Sequence, residues 1–393
     1  MSTDWPQESL GQLLGPVERA ERVDPPRLYR LLGARWYAQG LFVKDEKTGH
    51  QIKANTLYRV QSGDFVYNRL FAWKGSFAIA DSNADGCHVS NEFPCFAVNS
   101  DRLDPSYLKW WFSRENSWLE ALGLSNGATP TSRNRLKEER LLGMEIPLPP
   151  LDEQRRLVAR IEELAAKVDE ARGLRGSLLH EVQALQASAS ARIFDELLKG
   201  NTRPLADCVL LERGKFSHRP RNDPRFFGGN HPWIQIAEIE ASDKYIQKWH
   251  ESLNDDGLAI SRKFPSGTLL ISIAATIGAV GILTFDCCVP DSIVAITPPE
   301  GISSEFVYHY LSFLRTHLET VAPQSAQKNI NLQILGKLPF PIVEPDEQCE
   351  IVTELNALHA KINAVMILQT EIAAELDAIL PAILDKAFKG ELV

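Results

Sequence analysis

The 393-residue sequence has no stretch approaching the ~18 consecutive apolar residues of a membrane span. Its start, MSTDWPQESL, lacks the basic-then-apolar order of a secretory signal. Neither a membrane-spanning nor an exported protein is expected, so a cytoplasmic one is. Six cysteines are present (Cys87, Cys95, Cys208, Cys287, Cys288, Cys349), and no two form a C-x-x-C pair. Such usage predicts reduced, buried thiols and no disulfide framework.

Catalytic signatures are missing too. There is no G-x-x-x-x-G-K-[ST] phosphate loop and no H-E-x-x-H zinc pair. An adenine methyltransferase needs a [DNS]-P-P-[YF] turn, and the nearest approach, Asp24-Pro25-Pro26-Arg27, has the wrong fourth residue. Cys87-His88 with Cys95 is the only Cys/His cluster, and a buried structural role is expected for it. No catalytic residue, bound cofactor, metal ligand or small-molecule substrate is expected in this chain.

An excess of positive charge is also lacking: 42 basic and 51 acidic side chains give a net charge of −9. Residues 1–145 hold 18 of each sign, residues 146–200 hold 8 basic and 9 acidic, and residues 201–345 hold 13 and 15. Residues 346–393 hold 3 and 9, so two thirds of the imbalance sits in the last 48 residues. The remainder is nearly neutral, and any polyanion would have to be met by local basic patches.

What the chain does contain is a repeat. Asp152-Glu153-Gln154 recurs as Asp346-Glu347-Gln348, an offset of 194, and FDELLKG (194–200) recurs as LDKAFKG (384–390), an offset of 190. Upstream of each junction SGDFVYNRLFAWKGSFAIAD (62–81) parallels SGTLLISIAATIGAVGILTFD (266–286), two apolar runs about a turn at Gly75 or Gly278. NEFPCFAV parallels DSIVAITP as a strand, and PSYLKWWFSRENSWLEAL parallels SEFVYHYLSFLRTHLETV as a helix.

After each junction the apolar residues follow alternating steps of four and three. Leu157, Ile161, Leu164, Val168, Ala171, Leu178, Val182 and Leu185 form the first row, interrupted by Arg175. Ile351, Leu355, Leu358, Ile362, Val365, Ile372, Leu376 and Ile379 form the second, interrupted by Gln369. This is the heptad spacing of a coiled-coil seam. Each segment is about 65 Å long at 1.5 Å per residue. The change of offset adds four residues to the first, a stutter the seam can absorb, and Gly173 and Gly176 predict a kink or short break there. The acidic pair of each junction suits the first turn of a helix.

The predicted fold is therefore α+β and written twice. Two similar globular heads (1–145 and 201–345) alternate with two helical spacers (146–200 and 346–393), packed as an antiparallel coiled coil with approximate two-fold symmetry.

IPLPPLDEQRRLV, its degraded copy FPIVEPDEQCEIV and the final LPAILDKAFKGELV resemble the specificity subunit of type I restriction–modification enzymes, and the resemblance covers the full length. It implies two target-recognition domains, each binding one half of a split double-stranded DNA target, with a gap set by the helices. It also implies two modification (methyltransferase) subunits docked on the helices and restriction/translocase subunits joining them. S-adenosylmethionine, ATP and Mg would reside in those partners. A methylation-only or phage-exclusion assembly and a coiled-coil scaffold that binds no DNA are the alternatives.

Base reading needs exposed cationic and amide side chains. The densest group is RGKFSHRPRNDPR, with Lys215, His218, Arg219, Arg221 and Arg225; Pro220 and Pro224 make it an exposed loop rather than a helix. APQSAQKNINLQ adds Gln327, Lys328 and Asn329. In the first half NGATPTSRNRLK supplies Arg133, Arg135 and Lys137, and NRLFAWKGS supplies Arg69 and Lys74 at a turn between strands. The first half has no counterpart of the basic loop.

Overall fold

A computed structural model describes residues 5–127, 134–321 and 330–392. The chain divides into two compact units: residues 1–175 with 370–393, and residues 176–369. Both are mixed α+β, as expected.

In the first unit an antiparallel sheet runs in the order Leu14–Val17, Cys95–Val98, Phe65–Tyr67, Phe77–Ile79. In the second the order is Leu210–Arg213, Ile293–Thr297, Leu269–Ser272, Val280–Leu283, with Tyr245–Ile246 added in parallel at the edge. The four shared strands occupy the same places in each sheet. The turns between the two central apolar runs contain Gly75 and Gly278, at φ of +72° and +79°. That left-handed backbone is readily adopted only by glycine, which is why both apolar runs break there. A second sheet accompanies each: Ala20–Arg22, Thr56–Arg59, His88–Val89, Leu28–Ala34, Leu41–Thr48 in the first unit, and Glu251–Leu253, Phe227–Trp233, Cys287–Cys288, Lys263–Phe264 in the second.

The proline-rich junctions are short strands. Glu145–Pro147 pairs with Gln7–Ser9, and Pro339–Pro341 pairs with Thr202–Pro204. The long helices follow, Leu151–Leu197 and Pro345–Phe388, with Asp152, Glu153, Asp346 and Glu347 in their first turns. The break expected at Gly173 and Gly176 is absent. Each glycine costs about 1 kcal/mol against alanine in a helix, too little to interrupt so long a run of backbone hydrogen bonds.

Each helix passes from one unit to the other, the first after Arg175 and the second after Gln369. Those are the two polar residues that interrupt the heptad rows. Within each unit the helical segments pack antiparallel. In the first, Leu157 and Ile161 share a core with Leu384 and Phe388, and Arg172 donates to Asp377 at 2.8 Å. In the second, Gln186 meets His359 at 3.2 Å and Arg192 donates to Glu354 at 3.0 Å.

Burial along the rows is uneven. Leu157, Ile161, Val168, Leu355 and Ile362 are buried, and Leu164, Ala171, Val182, Ile351, Leu358, Val365 and Leu376 are half-buried. Leu178, Leu185, Ile372 and Ile379 are exposed, as are Leu174, Ile367 and Leu368 beside them. Two helices cover only one side of each row, so a wide apolar stripe stays partly in water.

Each head closes on the start of one helix and the end of the other. Leu384, Ala387 and Phe388 join Tyr107 and Trp111 in the first unit, and Phe194 joins Phe306, Tyr310, Val352 and Leu355 in the second. Full burial of a side chain such as Phe194 is worth about 1.5–3 kcal/mol, so these aromatics are the main fasteners of helix to head.

Candidate nucleic-acid interface

In both units the backbone stitches three distant segments together at one corner of the main sheet. In the first, Arg69 N–H donates to the Glu92 carbonyl (2.9 Å) and Leu136 N–H donates to the Arg69 carbonyl (2.9 Å). In the second, Ile273 N–H donates to the Ser292 carbonyl (3.0 Å) and Ile330 N–H donates to the Ile273 carbonyl (2.9 Å). The polar segments ending at Leu136 and Ile330 thus leave from equivalent positions. Arg133, Gln327, Lys328 and Asn329, which those segments carry, lie outside the described residues.

At the corner of the first unit the Arg69 guanidinium donates to the Glu138 carboxylate and the Asn91 carbonyl, and Arg135 donates to the Glu92 carboxylate. The buried Tyr67 hydroxyl donates to the Leu136 carbonyl at 3.0 Å and holds the segment down. Lys137, exposed, precedes the short helix Glu138–Leu142. Arg69, Arg135, Lys137, Glu138 and Glu139 line an open cavity of about 400 Å³. The four expected residues other than Arg133 are Arg69, Lys74, Arg135 and Lys137; of these the structure brings Arg69, Arg135 and Lys137 together. The Nζ of Lys74 lies 3.7 Å from the ring centre of the exposed Trp36, while the neighbouring Trp73 donates to the Leu70 carbonyl. Sequence reasoning overlooked Glu92 and Glu138, although NEFPCFAV and RNRLKEER display both.

The basic stretch of the second unit is an exposed loop, as its prolines predict, fixed by what is beneath it. Phe216 is buried against Trp233, with ring centres 5.1 Å apart, in a small core with Leu253 and Cys288. Gly214 lies so close to Pro290 that a Cβ would sit 2.2 Å from its carbonyl oxygen. Above this anchor, Arg219 donates to Asp291 (2.9 Å) and to the carbonyls of Phe216 and His218 (2.6 and 2.8 Å). Arg221 donates to the other Asp291 oxygen, and Arg213 donates to the Asp291 carbonyl at 2.6 Å.

Asp223 collects the remaining charges, with His218 at 2.9 Å and Arg225 at 2.7 Å. Hydrogen bonds from Arg225 hold the Asp223 carboxyl far below the usual range. Lys215 and Asn222 are exposed. Because Ser292 follows Asp291, the loop reaches the same corner as Ile273 and Ile330. The first unit has the strand Ala20–Arg22 at this point of the chain, and Arg19 pairs there with Asp64 at 2.6 Å.

The remaining motifs are structural. Arg27 N–H donates to the Asp24 carbonyl at 3.1 Å, closing the Asp24-Pro25-Pro26-Arg27 segment as a turn. His88 is buried and meets Glu21 at 3.1 Å, and burial pushes the Cys95 thiol up to about 12. Among the described residues no His/Cys/Asp/Glu group is arranged to hold a metal ion, and no helix is long and apolar enough to cross a membrane.

Residues 210–374 match the family model of the type I restriction modification DNA specificity domain. Those residues carry a type I DNA specificity domain. The resemblance read from the two junction motifs is borne out. Curated relatives agree: a putative type I restriction enzyme MjaX specificity subunit of Methanocaldococcus jannaschii is 20% identical over 77% of this chain and 72% of its own length. The EcoBI specificity subunit of Escherichia coli is 24% identical over 63% of this chain and 58% of its own length. Two solved structures share the fold of this chain over almost its whole length. A chain solved in work on complex assembly and conformational transition of the type I R-M system superposes with a TM-score of 0.80 at 23% identity, covering 99% of this chain and 98% of that one. The HsdS subunit of Thermoanaerobacter tengcongensis gives 0.65 at 22%, covering 99% and 97%.

Proposed function

We infer that this chain is the address reader of a type I restriction–modification complex, recognising a split double-stranded DNA target without performing chemistry. The observation that carries the reading is the repeated corner: in each unit the same three-segment junction gathers arginines where guanidinium forks can meet phosphates and base edges. The target-recognition domains are residues 1–145 and 201–345, one half-site each, and the helical spacers are 146–200 and 346–393. Arg69, Arg135 and Lys137, with Arg133, serve one half-site. Lys215, His218, Arg219, Arg221 and Arg225, with Gln327, Lys328 and Asn329, serve the other.

The partly exposed apolar stripe of the long helices, with acidic residues around it, suits protein partners rather than DNA. We assign it to two modification subunits, which would bring S-adenosylmethionine, with restriction/translocase subunits supplying the ATP- and Mg-dependent steps in the cytoplasm. The test is to map methylated adenines across the host genome with and without this gene. A split motif that loses methylation on deletion supports the reading, and an unchanged methylation pattern refutes it.

A further inference from the structure

At both corners the arginines are already engaged by carboxylates of their own unit. Asp291 offers one oxygen to Arg219 and the other to Arg221. Glu92 takes Arg135, and Glu138 takes Arg69. Glu92 corresponds to Ser292, and Asp291 to Asn91, so the two carboxylates sit at adjacent positions of the same turn, just ahead of the second strand of the main sheet, and each is set against arginines there. A carboxylate accepting from two guanidinium groups is chemically close to a DNA phosphate doing so.

We propose that Asp291 and Glu92 are specificity-determining residues, one per half-site, which exchange partners when the correct DNA is bound. In the free protein each occupies the arginines. On any duplex the arginines transfer to phosphates or guanines, and the carboxylate is released among DNA acceptors. At a wrong site it finds no donor there and repels the phosphates. At the correct site it accepts a hydrogen bond from an exocyclic amino group, N4 of cytosine or N6 of adenine, the pairing open to Asp and Glu in the major groove. The acid thereby weakens binding to random sequence and not to the target. Exposed ion pairs are weak enough for this exchange to occur.

This rests on the DNA-reading role above. The test uses the full chain with its modification subunit, the split target obtained by methylation mapping, and a random duplex, titrated across salt concentrations. Asp291→Asn should tighten random-duplex binding roughly ten- to thirtyfold and steepen its log–log salt dependence by about one to two, since two arginines become free to neutralise phosphates. On the target the lost base contact offsets the freed arginines, so affinity should rise less than on random DNA, and discrimination falls and is relaxed at a base position in one half-site. Glu92→Gln should do the same in the other half-site, and Asp291→Glu should keep discrimination near the wild-type value.

Equal tightening on both duplexes would reduce the residue to bulk charge, and equal weakening would make it a scaffold; either overturns the proposal. If the wild-type complex itself does not distinguish target from random DNA, the reading role fails and takes the proposal with it. If it does distinguish and Asp291→Asn keeps the full ratio, the proposal alone fails.

Discussion

The side-chain carbonyl of Gln154 accepts a hydrogen bond from the backbone N–H of Asp104 at 2.8 Å, and Gln348 does the same for Ser303 at 2.9 Å. The amide nitrogen of Gln154 donates to the carbonyls of Arg102 and Pro149, and that of Gln348 to the carbonyls of Gly301 and Val343. Both glutamines are buried. Each ties the first turn of a long helix to the loop that begins the head's own helix. The third letter of Asp-Glu-Gln is therefore the reason the phrase occurs twice.

Replacing Gln154 by Leu takes this partner from one buried and two part-buried backbone groups, at a cost of about 1–3 kcal/mol for each that water does not reach. Gln154→Leu should lower the stability of the first unit by about 2–4 kcal/mol, and Gln348→Leu that of the second by a similar amount. Hydrogen exchange should show the loss of protection near Asp104 in one variant and near Ser303 in the other. Protection unchanged at these amides would show that the glutamines are dispensable.

Phe388 packs against Tyr107 and Trp111 with ring centres 5.0 and 5.2 Å away. Phe388→Ala should destabilise the first unit by about 3–5 kcal/mol, although it lies near the opposite end of the chain. A denaturant titration that follows tryptophan emission reads this, because Trp110, Trp111 and Trp118 adjoin that core.

Acid sensitivity should be concentrated at Glu305. Burial alone would raise its carboxyl, but hydrogen bonds from Tyr245, Asn356 (2.7 Å) and Lys244 (3.0 Å) outweigh that and hold it at about 2. A carboxyl lowered on folding contributes stability that is complete above its unfolded value of 4.5 and is lost as pH falls toward 2. Asn356 lies on the second long helix, so its attachment to the head should loosen in that window. Glu305→Gln should flatten this part of the urea midpoint–pH curve; an identical curve would show that the ionised carboxylate contributes nothing there.

If the helices set the distance between half-sites, adding one helical turn within residues 160–190 should change the permitted gap and leave each half-site sequence alone. Methylation mapping of the variant reads both at once. The original gap in the variant would refute the spacer role.

The helices and the repeated sheet were legible because apolar periodicity and glycine turns are local properties. Leu157 to Leu185 announces a helix face without any knowledge of its neighbours. The apolar runs about Gly75 and Gly278 announce hairpins in the same way. The roles of Gln154 and Gln348 were not legible, since a buried amide is recognised by partners some fifty residues away and has no pattern of its own. At the candidate interface the basic residues were found by counting charges, and the same count hid Glu92 and Asp291. An acid amid arginines lowers the local excess of charge that such a search looks for.

The second unit is one continuous piece of chain, residues 176–369, whereas the first draws on both ends, residues 1–175 and 370–393. On the ribosome the second can close as soon as its own residues emerge. The earlier-made head must wait with its Tyr107–Trp111 surface uncovered until Leu384 and Phe388 arrive, after the whole of the second unit. Its birth order and its completion order are thus reversed, and a nascent chain halted before the last helix would be vulnerable to proteases at its amino-terminal half.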